Sequence, residues 1–286
     1  MTMAAALNLP SGILGVAAAP VTHGVDTRWL MAYAAGLGET AEAFYDTRAP
    51  GGPLAHALFP VCYEWPALVA LRQHVLGDDL APRGVHATHD LVIARLPRDG
   101  DRLTTTARIV AVERRRTGSL VVARLTTVDA DGHAVTTTDY GSVYRGVATP
   151  AMGRTADPLP RLSADTADVD WSDVVELPHG AAHVYTECAR IWNPIHTDAA
   201  VARAAGLPAI ILHGTATLAL AVSRVVAREL RGDHTRVRGI AARFAGFVRV
   251  PSAMTVRGRG RDGTTLAFDA VAADGTPVLG EGALGT

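Results

Sequence analysis

Tyr185-Thr-Glu-Cys-Ala-Arg-Ile-Trp-Asn-Pro-Ile-His196, then an Ala-rich segment, then Leu212-His-Gly-Thr-Ala-Thr217 is the stretch around which this chain is organised. It gathers His196, His213, an Asn193-Pro194 turn and Gly214 inside an otherwise apolar neighbourhood. Asn before Pro opens a turn, because Asn favours turns and the residue before Pro avoids the α region. Such a turn presents His196, and an unperturbed imidazole titrates near neutrality, which suits acid–base work. His213 precedes an apolar run that reads as a helix over 213–230, so it either caps and packs that helix or serves the site.

Working outward, the second half continues as strands at 238–250, 254–259, 264–271 and 277–284. Turns at Arg261-Asp262-Gly263 and Asp274-Gly275 separate them. The first half repeats the order. Helices are predicted at 27–37, capped by Asp26 or Thr27, and within 59–75, where Pro66 suits a first turn. Strands follow at 86–96, 102–114, 119–129 and 134–144. Residues 1–25 read as a tail or edge strand. Residues 147–180, rich in Pro, Asp, Ser and Thr, read as a linker. The chain is therefore two copies of one α+β module, each an antiparallel sheet wrapped around a central helix, with the sheets able to pair edge to edge. The implied division is residues 1–150, a linker over 151–178, and 179–286 carrying the site.

Composition narrows the function. The 286 residues are 48% hydrophobic and 19% charged, with a formal net charge of −1. That balance gives no electrostatic footprint for nucleic acid or an anionic membrane. All 27 basic residues are Arg, which excludes a lysine Schiff base. Cys62 and Cys188 show no metal or redox spacing and read as buried, reduced thiols. The first basic residue is Arg28, so the positive start of a signal peptide is missing, and no apolar run reaches spanning length. A cytoplasmic protein is expected, without metal or cofactor. Arg114-Arg115-Arg116 reads as a solvated hairpin end or as a phosphate contact. His86 and His89 lack a third metal ligand in sequence.

The stretch 185–196 with His213-Gly214 resembles the MaoC-like dehydratases, also called R-specific enoyl-CoA hydratases. Tyr185, Asn193, Pro194, Ile195 and His196 fall at the family's places. Ala205-Gly-Leu-Pro208 and the strand Arg243-Phe244 to Val250-Pro251 resemble its continuation. In the first half, Tyr33 to Glu39 occupies the place of the motif without Asn-Pro-x-His. The resemblance implies a double hotdog fold that acts from its second half. It implies reversible hydration of 2-enoyl, or dehydration of 3-hydroxyacyl, thioesters of CoA or an acyl carrier protein, by a homodimer.

The site residues follow from that resemblance. His196 would share acid–base work, with Asn193 holding its loop. Backbone N–H groups of Gly214 and Thr215 would polarise the thioester carbonyl, and glycine would let that carbonyl come close. His213, Tyr185 and Trp192 would bind substrate, Trp192 as a wall of the acyl pocket. The family's Asp, however, is Ile191 here, which neither accepts nor donates a proton. Glu187 and Asp198 are the nearest carboxylates in sequence. Three readings stay open: a carboxylate from elsewhere, a cyclisation or conjugate addition needing one acid–base group, or a dead partner subunit.

Overall fold

The computed structural model describes residues 7–160, 162–163 and 168–286. Two short strands open the chain, β1 (Leu7–Asn8) and β2 (Val21–Gly24). The Asp26 carboxylate accepts the Trp29 N–H at 2.7 Å and so starts helix α1 (Thr27–Gly36). Helix α2 (Pro60–Leu80) begins at Pro60, whose missing N–H costs nothing in a first turn. Pro66 therefore lies inside the helix rather than at its start. Gly77, at φ 64°, breaks the helical path near the far end. Strands β3 (Gly84–Ile93), β4 (Arg102–Arg115), β5 (Gly118–Val128) and β6 (Ala134–Arg145) follow, then the short β7 (Val147–Ala148) and β8 (Gly153–Arg154).

The second half runs β9 (Trp171–Leu177), α3 (Ala181–Ala189), α4 (Ala199–Ala204) and α5 (Gly214–Glu229). It ends with β10 (Gly239–Phe244), β11 (Ser252–Asp262), β12 (Thr265–Ala272) and β13 (Pro277–Gly285). One large sheet runs β2-β4-β5-β6-β3-β10-β13-β12-β11-β9, with β8 paired to β4. The two halves have the same order. Each begins with an edge strand (β2, β9), inserts its helices, and closes with four strands. The halves join where β3 and β10 pair antiparallel, Ile240 opposite Leu91. This pairing protects two edges that would otherwise invite association. The inner face of α5 is apolar almost throughout: Ala216, Leu218, Ala219, Val222, Val225 and Val226 are buried against the second-half sheet.

Three expectations need correction. The stretch read as a linker contains β8 and β9, and β9 pairs along its length with β11. Its run Trp-Ser-Asp-Val-Val-Glu-Leu alternates, but polar flanking residues masked the signal. Residues 161 and 164–167 of that linker lie outside the described residues. The strand expected over 238–250 leaves the sheet after Phe244. The following segment instead bonds to the approach of α5, with the Leu212 N–H donating to the Val248 carbonyl at 2.8 Å. Finally, of the tail or edge strand expected over residues 1–25, the edge strand is present as β2 paired with β4, and only the tail is corrected, since Leu9 and Ile13 are buried. Arg114, Arg115 and Arg116 are exposed at the β4–β5 hairpin, where Arg115 pairs with Glu113.

Gly118 marks that hairpin. Its φ is 147°, and a Cβ there would lie 2.0 Å from the Tyr144 carbonyl oxygen. Gly118→Ala must reopen the β5–β6 pairing or strain the backbone. A loss of about 1–3 kcal/mol is expected in urea unfolding.

Candidate active site

His196 ends a 3₁₀ turn, Pro194–His196, that Asn193 caps by accepting the Ile195 N–H at 3.4 Å. Its Nδ1 lies 2.9 Å from the Ile211 carbonyl. A carbonyl only accepts, so Nδ1 carries the proton and the lone pair is left on Nε2, which can act as a base. Ile211 is itself fixed by a bridge to Arg249. The approach to α5 thus sets the tautomer of His196. Burial lowers its pKa to about 4, an effect the Ile211 carbonyl partly opposes. The ring is neutral at pH 7.

His213 stacks on His196 with ring centres 3.8 Å apart. It is buried, and its Nε2 lies 3.2 Å from Thr186 Oγ1 and 3.3 Å from the Ile191 carbonyl. That carbonyl requires a proton on Nε2, which leaves Nδ1 buried with no partner among the described residues. Burial, and then the adjacent His196, hold its pKa well below the usual imidazole value. His213 therefore braces His196 as a neutral ring. Tyr185 is fully buried 5.0 Å from the His213 ring centre, with its hydroxyl 3.5 Å from that of Tyr33. The pair sits where α1 and α3 pack together, and Tyr33 is the first-half counterpart of Tyr185.

Helix α5 begins at Gly214, and its first intrahelical bond runs from the Thr217 N–H to the His213 carbonyl. The N–H groups of Gly214 and Thr215 are thus among those without an intrahelical acceptor, at the positive end of a 16-residue helix. The reason for glycine differs from the one anticipated. A Cβ on Gly214 would meet the Phe244 ring at 3.2 Å, so it is a protein ring that comes close. Ile191 is buried, while Trp192, expected as a pocket wall, is 63% exposed. Asp198 caps α4 through the Ala200 and Val201 N–H groups, and Glu187 faces solvent on α3. Cys62 is buried and Cys188 only partly so.

The sequence pattern described as MaoC like domain matches residues 180–269. The chain carries a MaoC-like domain. Residues 13–138 match a second pattern, the FAS1-like dehydratase domain region. Enoyl-CoA hydratase ChsH3 of Mycobacterium tuberculosis is 40% identical over 80 residues, 28% of this chain and 28% of that protein. The peroxisomal enoyl-CoA hydratase 2 of Arabidopsis thaliana is 42% identical over 53 residues, 18% of this chain and 17% of that protein. These matches span less than a third of the relatives' lengths. The fold likeness is broader. A MaoC-like dehydratase from Phytophthora capsici superposes with a TM-score of 0.82 at 23% identity, covering 96% of both chains. The peroxisomal multifunctional enzyme type 2 of Drosophila melanogaster gives 0.79 at 21%, over 94% of this chain and 48% of that one. The fold is a double hotdog.

The MaoC-like domain contributes Ile191 and Thr215 to a narrow cavity that sequence reading missed. Its other walls come from the first half: Val61, Glu64, Trp65 and Leu68 on one face of α2, and His89, Leu125 and Tyr140 on the sheet. Glu64 is 3% exposed, and Oε1 accepts from Thr138 at 2.8 Å and Thr136 at 3.2 Å. Burial raises its pKa to about 7, against the pull of those two hydroxyls. His89 is 1% exposed, and neither ring nitrogen has a partner among the described residues. The available signal was a Glu at helical spacing among Val61, Trp65 and Leu68, an acid on a core-facing stripe.

A second polar group lies away from this cavity. Glu39 Oε1 is 3.8 Å from Nε2 of both His56 and His234. The three could be read as metal ligands, but the tautomers oppose it. Nδ1 of His56 accepts the Leu58 N–H, and Nδ1 of His234 accepts the Ala57 N–H. Both Nε2 atoms therefore carry protons in the neutral rings and have no lone pair for a cation. His56 Nε2 donates to Ser223 Oγ at 3.0 Å. The cluster ties the end of α1 to the start of α2 and to the turn after α5.

Proposed function

We propose that the chain hydrates 2-enoyl thioesters, or dehydrates 3-hydroxyacyl thioesters, carried on CoA or an acyl carrier protein. The observation that carries this reading is the pairing of two features around one turn. His196 keeps a free Nε2 because the Ile211 carbonyl holds its Nδ1–H, and the Gly214 and Thr215 N–H groups begin a helix beside it. In hydration, hydroxide from water bonds to Cβ and a proton is added at Cα. Between those events the electron pair rests on the thioester oxygen. The two amides and the helix dipole stabilise that oxyanion. His196 accepts or returns the proton in transit. Tyr185 and His213 hold the histidine loop against the helices, and Asn193 holds the turn.

The division of labour proposed for the chain is a degenerate first hotdog and a second that bears the site. The matched relatives bearing the name enoyl-CoA hydratase support the reaction class. The test is direct. Purified protein is given crotonyl-CoA and longer 2-enoyl-CoAs, and loss of the conjugated enoyl thioester absorbance is followed. A protein-dependent, saturable decrease is expected, with a 3-hydroxyacyl product. Its absence for every chain length, on CoA and on carrier protein alike, would overturn the proposal.

A further inference from the structure

We infer that Glu64, supplied from α2 of the first hotdog, is the acid–base carboxylate of the pocket and takes over the work denied to Ile191. The inference rests on the hydratase reading above. Three observations carry it. The cavity that holds Glu64 is bounded by the Ile191 side chain and by Thr215, the second residue of α5. Glu64 and Ile191, the latter at the place of the family's Asp in the resemblance, thus line one cavity.

Next, Glu64 is only half satisfied. Thr136 and Thr138 both donate to Oε1, and Oε2 has no hydrogen-bond partner among the described residues. A carboxyl group on the core side of a helix is costly unless something uses it. Finally, His89 lines the same space, buried, with one donor and one acceptor unused. A buried imidazole with neither nitrogen paired is unusual in a folded protein. The cavity has room for about one water molecule, which needs two to four polar partners to be held. Glu64 and His89 provide them, while Ile191, Leu68 and Leu125 keep the rest of the wall dry.

The step balances without a further reactant. The Glu64 carboxylate removes one proton from the water, whose oxygen bonds to Cβ. The π electrons move through Cα to the thioester oxygen, held by the α5 amides. A proton then returns to Cα from protonated Glu64 or through His196, and the enzyme regains its starting state. Dehydration is the reverse.

Around Glu64 stand the Thr136 and Thr138 hydroxyls and Tyr140 on β6 and His89 on β3, with Tyr63 and Cys62 beside it on its own helix; Arg72 lies beyond, against the Tyr140 ring. The shift of Glu64 comes from burial against the pull of the two hydroxyls, with no charged partner among its causes. Its ionisation near pH 7 therefore governs the rate. The kcat/KM for hydration should rise with pH through about 7, the value to which burial lifts this carboxyl.

The test compares wild type with Glu64→Gln, which can still accept from both threonines and so keeps the fold. The kcat for enoyl-thioester hydration is expected to fall about 10²-fold with KM little changed. The double variant E64Q/I191D, which puts a carboxylate back on the opposite wall, is expected to recover a substantial part of that loss. A readout independent of turnover is the infrared carboxyl band. A protonated-carboxyl stretch present at pH 6 should be absent in E64Q. It should also shift when an unreactive thioether analogue of a 3-hydroxyacyl thioester is added. Wild-type turnover with undiminished kcat in E64Q overturns the assignment and leaves the hydratase reading standing. A wild type inactive on all enoyl thioesters overturns that reading instead. A carboxyl band that the analogue leaves unmoved overturns the Glu64 assignment in either case.

Discussion

If the proposed hydration holds, His196→Ala is expected to lower kcat for 2-enoyl thioesters by about 10²–10⁴-fold, the usual range for losing one positioned acid–base group. The fold survives the change. His196 is buried at the end of a short turn closed by Asn193 and Pro194, and its one side-chain hydrogen bond among the described residues is to a carbonyl of the next segment. Far-ultraviolet circular dichroism and the urea midpoint should therefore stay close to wild type while turnover collapses. The same substitution removes the ring that stacks on His213. Because His213 is deeper and bonds to Thr186 and Ile191, it keeps its place. A full-rate His196→Ala enzyme would remove the histidine from the mechanism and leave Glu64 and the α5 amides as its only support.

Acid should unfold this protein well above the pH at which ordinary carboxylates titrate. Burial lowers the pKa of His89, His196 and His234 to about 4, and holds those of His56 and His213 well below the usual imidazole value. In the unfolded chain each titrates near 6.5. The folded-state values are depressed, so the stability is present above about pH 6.5. It is lost as pH falls toward the folded values, because the unfolded chain takes up protons first. Glu64 and Glu39 act in the opposite direction. Their raised pKa values favour the fold as pH falls from about 7 to the unfolded carboxylate range. The pKa values of His23 and His86 are lowered as well, so seven histidines oppose two glutamates and the net effect is a loss of stability as pH falls below about 6.5. Urea unfolding at pH 7.5, 6.5, 5.5 and 4.5 should show a steep fall in midpoint between 6.5 and 4.5. A flat profile would show that the rings charge without opening the fold.

Much of this architecture is legible from period and turn chemistry. The strands β4, β5 and β6 follow from Thr- and Val-rich alternation between Gly-containing turns. The repeat of helices and four strands gives two copies of one α+β module, which the resemblance named as a double hotdog. Asn193-Pro194 locates the His196 turn. What escaped reading did so for physical reasons. The strand β9 needs its partner β11 to be recognised, since pairing with β11 rather than composition makes Trp171–Leu177 a strand. Trp192 is large and apolar and so suggests a wall, yet the left-handed Arg190 that ends α3 turns the chain so that Trp192 faces solvent. Arg190 instead lays its guanidinium over the Trp29 ring, at 4.1 Å. Glu64 lies more than a hundred residues from the motif, and no local pattern connects it to Ile191. Only the packing of α2 against its sheet, closed by the start of α5, brings them to one cavity.

The seam between β3 and β10 makes the two halves behave as a dimer whose subunits are tied in one chain. In a true symmetric dimer every substitution appears twice, so a residue dispensable at one pole but needed at the other cannot change. Here the sixth residue after Tyr33 is Glu39 and the sixth after Tyr185 is Ile191, an acid and a hydrocarbon at matching offsets from a pair of touching tyrosines. Joining the copies has released each from the other's constraints. Tyr185's side of the pocket can therefore carry the hydrocarbon Ile191 while the first half contributes the carboxyl of Glu64 to the same cavity.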